Sequence, residues 1–178
     1  INGYLGLLSI GHAAFYGIGA YASAKLVMEL KAPFLLSMFA SGAISSAMAY
    51  LLAKPTLRAS GIYMTLATLG FNMILFLVLQ NWMSFTNGPL GIMDIPAPVI
   101  FGRVIDSREG YYYLMLVMVV LTIASMHRLI HSRFGRALVA IRENELAAEA
   151  MGVHTTKYKI QGFVLAAFYA GIAGSFYA

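Results

Sequence analysis

Five long apolar runs dominate this chain of 178 residues, and they limit the folds that are open to it. A bilayer core about 30 Å thick is crossed by roughly 20 helical residues, each rising about 1.5 Å. Backbone groups inside lipid must bond within their own segment, which favours helices over open strands. The runs span Tyr4–Met28, Phe34–Ala53, Ile62–Gln80, Tyr111–Met126 and Ile160–Ala178. The sequence therefore predicts an all-α polytopic membrane bundle with about five spans.

The composition agrees with a lipid-facing surface and argues against catalysis. Only 11% of the residues are charged, whereas a soluble domain has about 25%. No cysteine is present, and the sequence contains no Gly-Lys-Ser/Thr phosphate loop, HExxH or GxSxG motif. We therefore expect no catalytic residues, no metal site and no cofactor in this chain. We also expect residues 1–178 to form one transmembrane domain, as part of a longer protein.

Basic residues cluster at two joints that lie on one side of the membrane if the spans alternate. One joint holds Lys54 and Arg58, and the other holds Arg128, Arg133, Arg136, Arg142, Lys157 and Lys159. The positive-inside rule places both joints in the cytoplasm. The loop at about 81–110 then lies outside the cell. Its turn signal at Asn87-Gly88-Pro89 and its length favour local structure or a docking role over a plain connector.

A polar insert at about 131–158 separates the last two runs. Ser132 and Asn144 are suited to cap two helices, and Gly152 is placed to end the second. That second helix, Glu145 to Met151, is too short to be stable alone, so it must pack on its own protein or on a partner. An ordinary cytoplasmic loop with one helical turn fits the same pattern.

The insert resembles the cytoplasmic coupling loop of ABC-importer permeases, in "GRALVAIREN" followed by "ELAAEAMG". The family signature is Glu-Ala-Ala, a short gap and Gly, and here Gly152 comes two residues earlier than the common spacing. Three further stretches resemble hallmarks of branched-chain amino-acid permeases of the LivM type. They are "GLLSIGHAAFYGIGAYASA", "RASGIYMTLATLGF" and "NWMSFTNGPLGI". All four stretches occur in family order and cover most of the chain.

The resemblance implies a function and a set of partners. The chain would be a transport subunit, not an enzyme, and would move leucine, isoleucine and valine across the bacterial inner membrane. ATP and magnesium would be bound by two separate ATPase subunits, beside a second permease subunit and an extracytoplasmic substrate-binding protein. The short helix would sit in a groove on the ATPase and transmit its motion. The residues implied in this coupling are Glu145, Leu146, Ala147, Ala148, Glu149, Ala150, Met151 and Gly152.

Some positions depart from the family pattern and leave alternatives open. Many members have an acidic residue at the position of Met73, a basic one at Phe76, and Gly-Gly where this chain has Asn87-Gly88. An importer of the same architecture for urea, short amides or other amino acids therefore remains an alternative. An ion-gradient transporter would need carboxylates inside the spans. A membrane enzyme would need a clustered catalytic set.

Five residues within the apolar runs are candidates for the transport pathway or for helix packing. His12 is an ionisable group inside the first run, which makes it a functional candidate, although a helix–helix hydrogen bond explains it equally simply. Gly11, Gly17 and Gly19 suit either close helix packing or a broken helix near a substrate. Asn72, in the middle of the third run, either lines a path or joins two helices.

Overall fold

A computed structural model describes residues 2–6, 9–56, 62–93, 95–100, 103–105 and 107–178. The long helices are α2 (His12–Leu30), α3 (Phe34–Thr56), α4 (Ile62–Asn81), α6 (Arg108–Ile130) and α9 (Thr155–Ser175). Shorter helices are α1 (Asn2–Leu5), α5 (Met83–Thr86), α7 (Arg133–Glu143) and α8 (Glu145–Ala150). The predicted helical bundle is confirmed, and each apolar run overlaps with one long helix.

About five spans were predicted, but fewer helices meet the length and hydropathy that a membrane span requires. Three helices in the described part of the chain are long and apolar enough to cross a membrane: Phe34–Thr56, Tyr63–Asn81 and Arg108–Ile130. The other two long helices, α2 and α9, carry many glycine, serine, threonine and tyrosine residues. Both helices pack against other helices of the bundle, so their side chains need not all be apolar.

The first apolar run, Tyr4–Met28, was predicted to be one helix, but in the structure it contains two helices, α1 and α2. The chain leaves the helical path after α1, where Gly6 has a left-handed φ of +64°, and becomes helical again at His12. Glycine adopts that conformation without the steric cost of a Cβ. We call the described residues Gly6 and 9–11 the helix break. Arg58 and the start of the second hallmark stretch lie outside the described residues.

Helices α2, α3 and α9 form the centre of the bundle through small residues. A Cβ placed on Gly19 of α2 would lie 2.3 Å from the carbonyl oxygen of Gly171 in α9, so the two backbones touch there. Two serines of α3 tie the same helices together. Ser45 donates to the Phe15 carbonyl at 3.0 Å, and Ser41 donates to the Gly171 carbonyl at 3.3 Å. Small residues and hydroxyl groups are the usual means by which helices associate in lipid.

Aromatic packing completes this centre. Phe15 and Phe163 are fully buried and meet edge to face, with ring centroids 5.6 Å apart. Phe71 brings α4 against the same cluster, 5.6 Å from the Phe15 ring. Helix α6 lies at the periphery, and none of its residues is buried. Two contacts hold it against the bundle. Tyr111 donates to the Phe176 carbonyl, and the Ser125 hydroxyl lies 2.8 Å from that of Tyr169.

The predicted outer loop has local structure. Helix α5 is followed by a 3₁₀ turn at Gly88–Leu90, and a two-residue hairpin pairs β1 (Val99–Ile100) with β2 (Arg103–Val104). Thr86 is buried, donates to the Leu79 carbonyl at 2.5 Å and accepts from the Gly88 amide at 3.1 Å. The turn is thereby fastened to the end of α4. The placement of this loop outside the cell stays a prediction.

Replacing Gly19 with alanine should destabilise the full-length protein by about 1–3 kcal/mol, because the added Cβ overlaps the α9 backbone. A Cβ on Gly70 of α4 meets nothing within 4 Å, so Gly70→Ala is a matched control. Thermal unfolding in mild detergent should show a clear fall in Tm for Gly19→Ala and no fall for Gly70→Ala. Equal Tm values for the two variants would contradict the close α2–α9 contact.

Candidate functional site

Both predicted helix caps of the polar insert are present. The Ser132 hydroxyl accepts from the Gly135 amide at 3.5 Å at the start of α7, and Asn144 Oδ1 accepts from the Ala147 amide at 3.0 Å at the start of α8. Each cap satisfies one of the free amides at a helix start. Helix α8 is six residues long, close to the predicted seven.

The end of α8 is fixed by Gly152. Its φ is +82°, and its amide donates to the Glu149 carbonyl at 2.9 Å, while the next amide, that of Val153, donates to the Ala148 carbonyl at 3.0 Å. This pair of bonds is the Schellman motif, which needs a left-handed residue and therefore favours glycine. The sequence prediction that Gly152 ends this helix is confirmed.

The acidic residues of α8 point to its own protein. Glu145 forms an ion pair with Lys159 of α9, and Glu149 accepts a hydrogen bond from Thr155 at 2.6 Å. Ala148, on the same helix, is also buried. Helix α8 is therefore joined to the first turns of α9, so that a displacement of α8 acts directly on a helix of the bundle centre.

The apolar residues of α8 point away from the protein. Leu146 is 79% exposed and Met151 84% exposed, and Ala147 and Ala150 are exposed beside them. The predicted coupling segment thus divides into an inner side that holds α9 and an outer apolar side without cover in this chain. We call Leu146 and Met151 the exposed pair.

Helix α7 carries the N-terminal segment as well as α8. Leu138 and Ile141 are its buried hydrophobic residues, and Arg142 donates to the Gly3 carbonyl of α1. Leu5 is buried and reaches the second turn of α9, where a Cβ on Gly162 would lie 2.5 Å from its Cδ1 atom. Helix α1 therefore belongs to the same unit as the insert, which the sequence did not indicate.

The helix break meets α4 at Thr68. The Ile10 amide donates to the Thr68 hydroxyl at 3.3 Å, and a Cβ on Gly11 would lie 3.2 Å from the Thr68 carbonyl oxygen. Ser9 Oγ is buried without a hydrogen-bond partner in the described part of the chain. The glycines were predicted to serve either close helix packing or a broken helix. At Gly11 the helix is broken, because α2 begins only at His12.

The remaining pathway candidates are only partly brought together. The His12 ring lies edge-on to two phenylalanines, 6.5 Å from Phe15 and 6.3 Å from Phe163. Gly19 is the packing contact with α9, whereas Gly17 faces Leu79 of α4 at an ordinary distance of 3.6 Å. Asn72 is half-buried, and its amide makes no hydrogen bond within the described residues. Its role stays a prediction.

Comparison with known proteins agrees with a helical membrane permease. The family described as "Branched-chain amino acid transport system / permease component" matches residues 1–178. The chain belongs to this permease family. Two relatives carry the name high-affinity branched-chain amino acid transport system permease protein LivM. The protein from Salmonella typhimurium is 35% identical and that from Escherichia coli 34%, each over 100% of this chain and 47% of its own length.

A more distant relative extends the comparison to another permease type. A probable branched-chain amino acid transport permease protein LivH from Methanocaldococcus jannaschii is 29% identical over 77% of this chain and 45% of its own length. No solved structure gives a significant match. The chain spans about half the length of the curated relatives it matches. Family membership confirms the resemblance that the four sequence stretches indicated.

Two contacts near the candidate sites were not predicted from the sequence. The Arg142–Gly3 contact joins residues far apart in the chain, and no local pattern marks it. Thr68 was not singled out in the sequence, yet it is fully buried and bonds to the helix break. The position of Thr68 among apolar residues was a signal in the sequence, but the spacing of residues does not show that its partner is the Ile10 amide.

Gly152→Ala should loosen the end of α8, because a Cβ in the left-handed region costs about 1–2 kcal/mol. No neighbouring atom lies within 4 Å of that Cβ, so the effect comes from the backbone alone. Hydrogen exchange at the Gly152 and Val153 amide positions should accelerate by about 5–30-fold, the range equivalent to that cost. Gly152→Asn is the control, since asparagine tolerates this conformation better. Equal exchange in both variants would count against the Schellman cap.

Proposed function

We propose that the full-length protein is a membrane-spanning permease subunit of an ATP-binding-cassette importer that translocates leucine, isoleucine and valine. Family membership and the names of the LivM relatives support a branched-chain amino-acid permease. The observation that carries the ATP-driven mechanism is helix α8, which is fastened to α9 on one side and exposes Leu146 and Met151 on the other.

The exposed pair is the contact with the ATPase. Large apolar side chains that stand in solvent on a short, otherwise polar helix are typical of a binding surface. A six-residue helix is unstable alone, but α8 is held by two caps and by two side-chain bonds to α9. It therefore presents the exposed pair in a fixed orientation to a groove on the partner.

The motion then passes along α9. When the ATPase subunits close on ATP, they displace α8, and the bonds of Glu145 and Glu149 carry that displacement to α9. Because α9 touches α2 at Gly19 and α3 at Ser41, the helices of the centre move with it. Access then changes from one side of the membrane to the other, and the substrate crosses beside this subunit.

The partners follow from this arrangement. Two ATP-binding subunits hold ATP and magnesium, a second permease subunit completes the pathway, and an extracytoplasmic binding protein delivers the substrate. The exposed apolar sides of α4 and α6 suit contact with lipid and with that second subunit. The basic residues around the insert, such as Arg133, Arg136 and Lys157, favour a cytoplasmic location for it in the bacterial inner membrane.

Leu146→Asp in the full-length protein should reduce recovery of the ATPase subunits in affinity purification at least tenfold, since losing about 1.4 kcal/mol of binding has that effect. ATP-driven leucine uptake should fall with it. Leu90→Asp is the matched control, because Leu90 is 75% exposed, against 79% for Leu146, but lies in the 3₁₀ turn after α5. Membrane insertion should be normal in both variants. Equal ATPase recovery from the two would exclude the exposed pair as the contact.

The alternative substrate class rests on two departures from the family pattern. Met73 and Phe76 lie on α4, and their side chains are largely exposed in this chain. They can therefore alter a surface shared with the second subunit, which keeps an importer for urea, short amides or other amino acids as the second candidate.

A competition assay separates the two substrate classes. The complete complex is reconstituted in liposomes and supplied with its own binding protein and labelled leucine. We expect excess isoleucine or valine to reduce leucine uptake at least tenfold, and equal concentrations of urea or acetamide to leave it unchanged. Uptake of labelled urea without uptake of leucine would support the alternative.

A further inference from the structure

A groove lies between α6 and α9 near the polar insert. Its volume is about 430 Å³, and residues of α3 and α7 complete its walls. Helices α6 and α9 touch one turn farther from the insert, where the Ser125 hydroxyl lies 2.8 Å from that of Tyr169. We call the space the α6–α9 groove. Its lining residues are Ser46, Leu129, Phe134, Gln161, Val164, Leu165 and Phe168.

The groove is apolar except at its end nearest to the insert. Gln161 lies at that end, and beyond it Val164, Leu165 and Phe168 continue along the same face of α9. This stripe is about 10 Å long, which is two thirds of the apolar depth of one leaflet, about 15 Å. The Ser46 hydroxyl in the wall is satisfied, because it donates to the Val164 carbonyl at 3.4 Å. The groove therefore suits an extended apolar chain.

Four exposed basic residues are placed around the end of the groove nearest to the insert. On α6 and α7, Arg128 and Arg133 each come directly before a residue that lines the groove. Arg136 lies one turn after Arg133. On α9, Lys157 lies one turn before Gln161 on the same face. We call these four residues the basic cluster, to which each of the three helices contributes.

No acidic side chain neutralises the basic cluster within the described residues. The ion pairs found there all use other basic residues. Arg136 donates to the His131 carbonyl at 3.1 Å, which leaves its charge uncompensated. Two aspartates, at 94 and 106, lie outside the described residues. Their described neighbours, Ile95 and Ser107, are at the start of α6, whereas Arg128 is about 30 Å away near its end.

The first turn of α7 adds to this concentration of positive charge. The start of a helix carries a partial positive charge and favours acidic residues. Helix α7 has no acidic residue in its first turn and has Arg133 and Arg136 instead. Like charges at this spacing also repel each other. The arrangement is unfavourable by itself and becomes favourable when an anion lies beside it.

We propose that the α6–α9 groove and the basic cluster form a binding site for one anionic phospholipid. The phosphate group pairs with Arg128, Arg133 and Lys157, and the first part of one acyl chain lies in the groove against Leu165 and Phe168. The lipid thereby ties the peripheral helix α6 to α9 beside the insert. This inference concerns the membrane and not the transported substrate, so it does not depend on the proposed function.

An anionic phospholipid is the ligand that satisfies both parts of the site. A soluble phosphate would pair with the basic cluster and leave the groove empty. An apolar segment of the longer protein would fill the groove and leave the cluster unpaired. Basic residues collect on one side of membrane proteins in general, but that rule does not require a groove beside them. Basic pockets between membrane helices are typical sites for anionic headgroups.

An aromatic pair lies at the same level as the basic cluster. The rings of Phe134 and Tyr158 are 5.7 Å apart between centroids, which joins the start of α7 to the start of α9. Tyrosine is enriched where the apolar core of a membrane meets the headgroups. The pair is consistent with a headgroup beside the cluster and an acyl chain beyond it.

The test uses the full-length protein, purified with the subunits that accompany it, in nanodiscs of phosphatidylcholine. A small fraction of phosphatidylglycerol carries a diazirine in its acyl chain, and after illumination the labelled peptides are mapped by mass spectrometry. Phosphatidylcholine with the same diazirine chain, at the same mole fraction, is the comparison lipid. We expect phosphatidylglycerol to label the segments 129–134 and 161–168 at least about fivefold more strongly.

Charge substitutions test the basic cluster. Arg133→Gln and Lys157→Gln should each reduce labelling by phosphatidylglycerol about fivefold, which is the effect of one basic residue near an anionic surface. Lys54→Gln is the matched control and should leave labelling unchanged. Lys54 is also an exposed basic residue near a helix end, but it lies on α3 over the ring of Tyr50 and does not line the groove.

A substitution in the groove tests the acyl chain with every charge retained. Leu165→Trp should fill the groove and reduce labelling at least tenfold, because the chain then has no space. Leu116→Trp is its control, since Leu116 is 44% exposed on α6 and does not line the groove. Labelling should be unchanged in that variant.

Several results would overturn the lipid site. Equal labelling by the two lipids, or the same loss in Lys54→Gln as in Arg133→Gln, would leave only the general attraction of basic residues to lipid. Absence of label from 161–168 would show that another segment of the longer protein fills the groove. Loss of label with inorganic phosphate, but not with sodium chloride at the same ionic strength, would assign the cluster to a soluble anion.

Discussion

Close contact between the backbones of α2, α3 and α9 is the constraint on which the remaining structure depends. Lipid offers no hydrophobic driving force between apolar helices, so association relies on packing and on hydrogen bonds between helices. Glycines at 19 and 171 allow the backbones to touch, and the hydroxyl groups of Ser41 and Ser45 bond to carbonyls across the interface. Helix α9 also holds α8, because Lys159 and Thr155 in its first turns bond to Glu145 and Glu149.

Local patterns predicted most of the helices, but not the contacts between them. Apolar runs and helix caps depend on residues that are close in the sequence. The long helices and both ends of α8 were therefore predicted correctly. The helix break was only one of two roles open to Gly11, because the partner that fixes the break, Thr68, is on another helix. The smaller number of membrane-capable helices has a related cause, since α2 and α9 are packed inside the bundle and tolerate polar residues.

The predicted coupling segment, Glu145 to Gly152, shows that the sequence also did not predict the contacts of single side chains. Its residues were identified from the resemblance, but the sequence could not say which side faces the partner. Glu145 and Glu149 share one face by spacing, and the structure gives that face to Lys159 and Thr155 of α9. Those two residues follow the helix by one or more turns, beyond the reach of local periodicity. The exposed pair remains available for the ATPase contact that we propose.

Polar groups at the insert are satisfied within the chain. The acidic residues of α8 are paired, the helix caps are filled, and Arg142 holds α1 through the Gly3 carbonyl. These bonds join α1, α7, α8 and the start of α9 into one unit, which is what the proposed transmission of force requires.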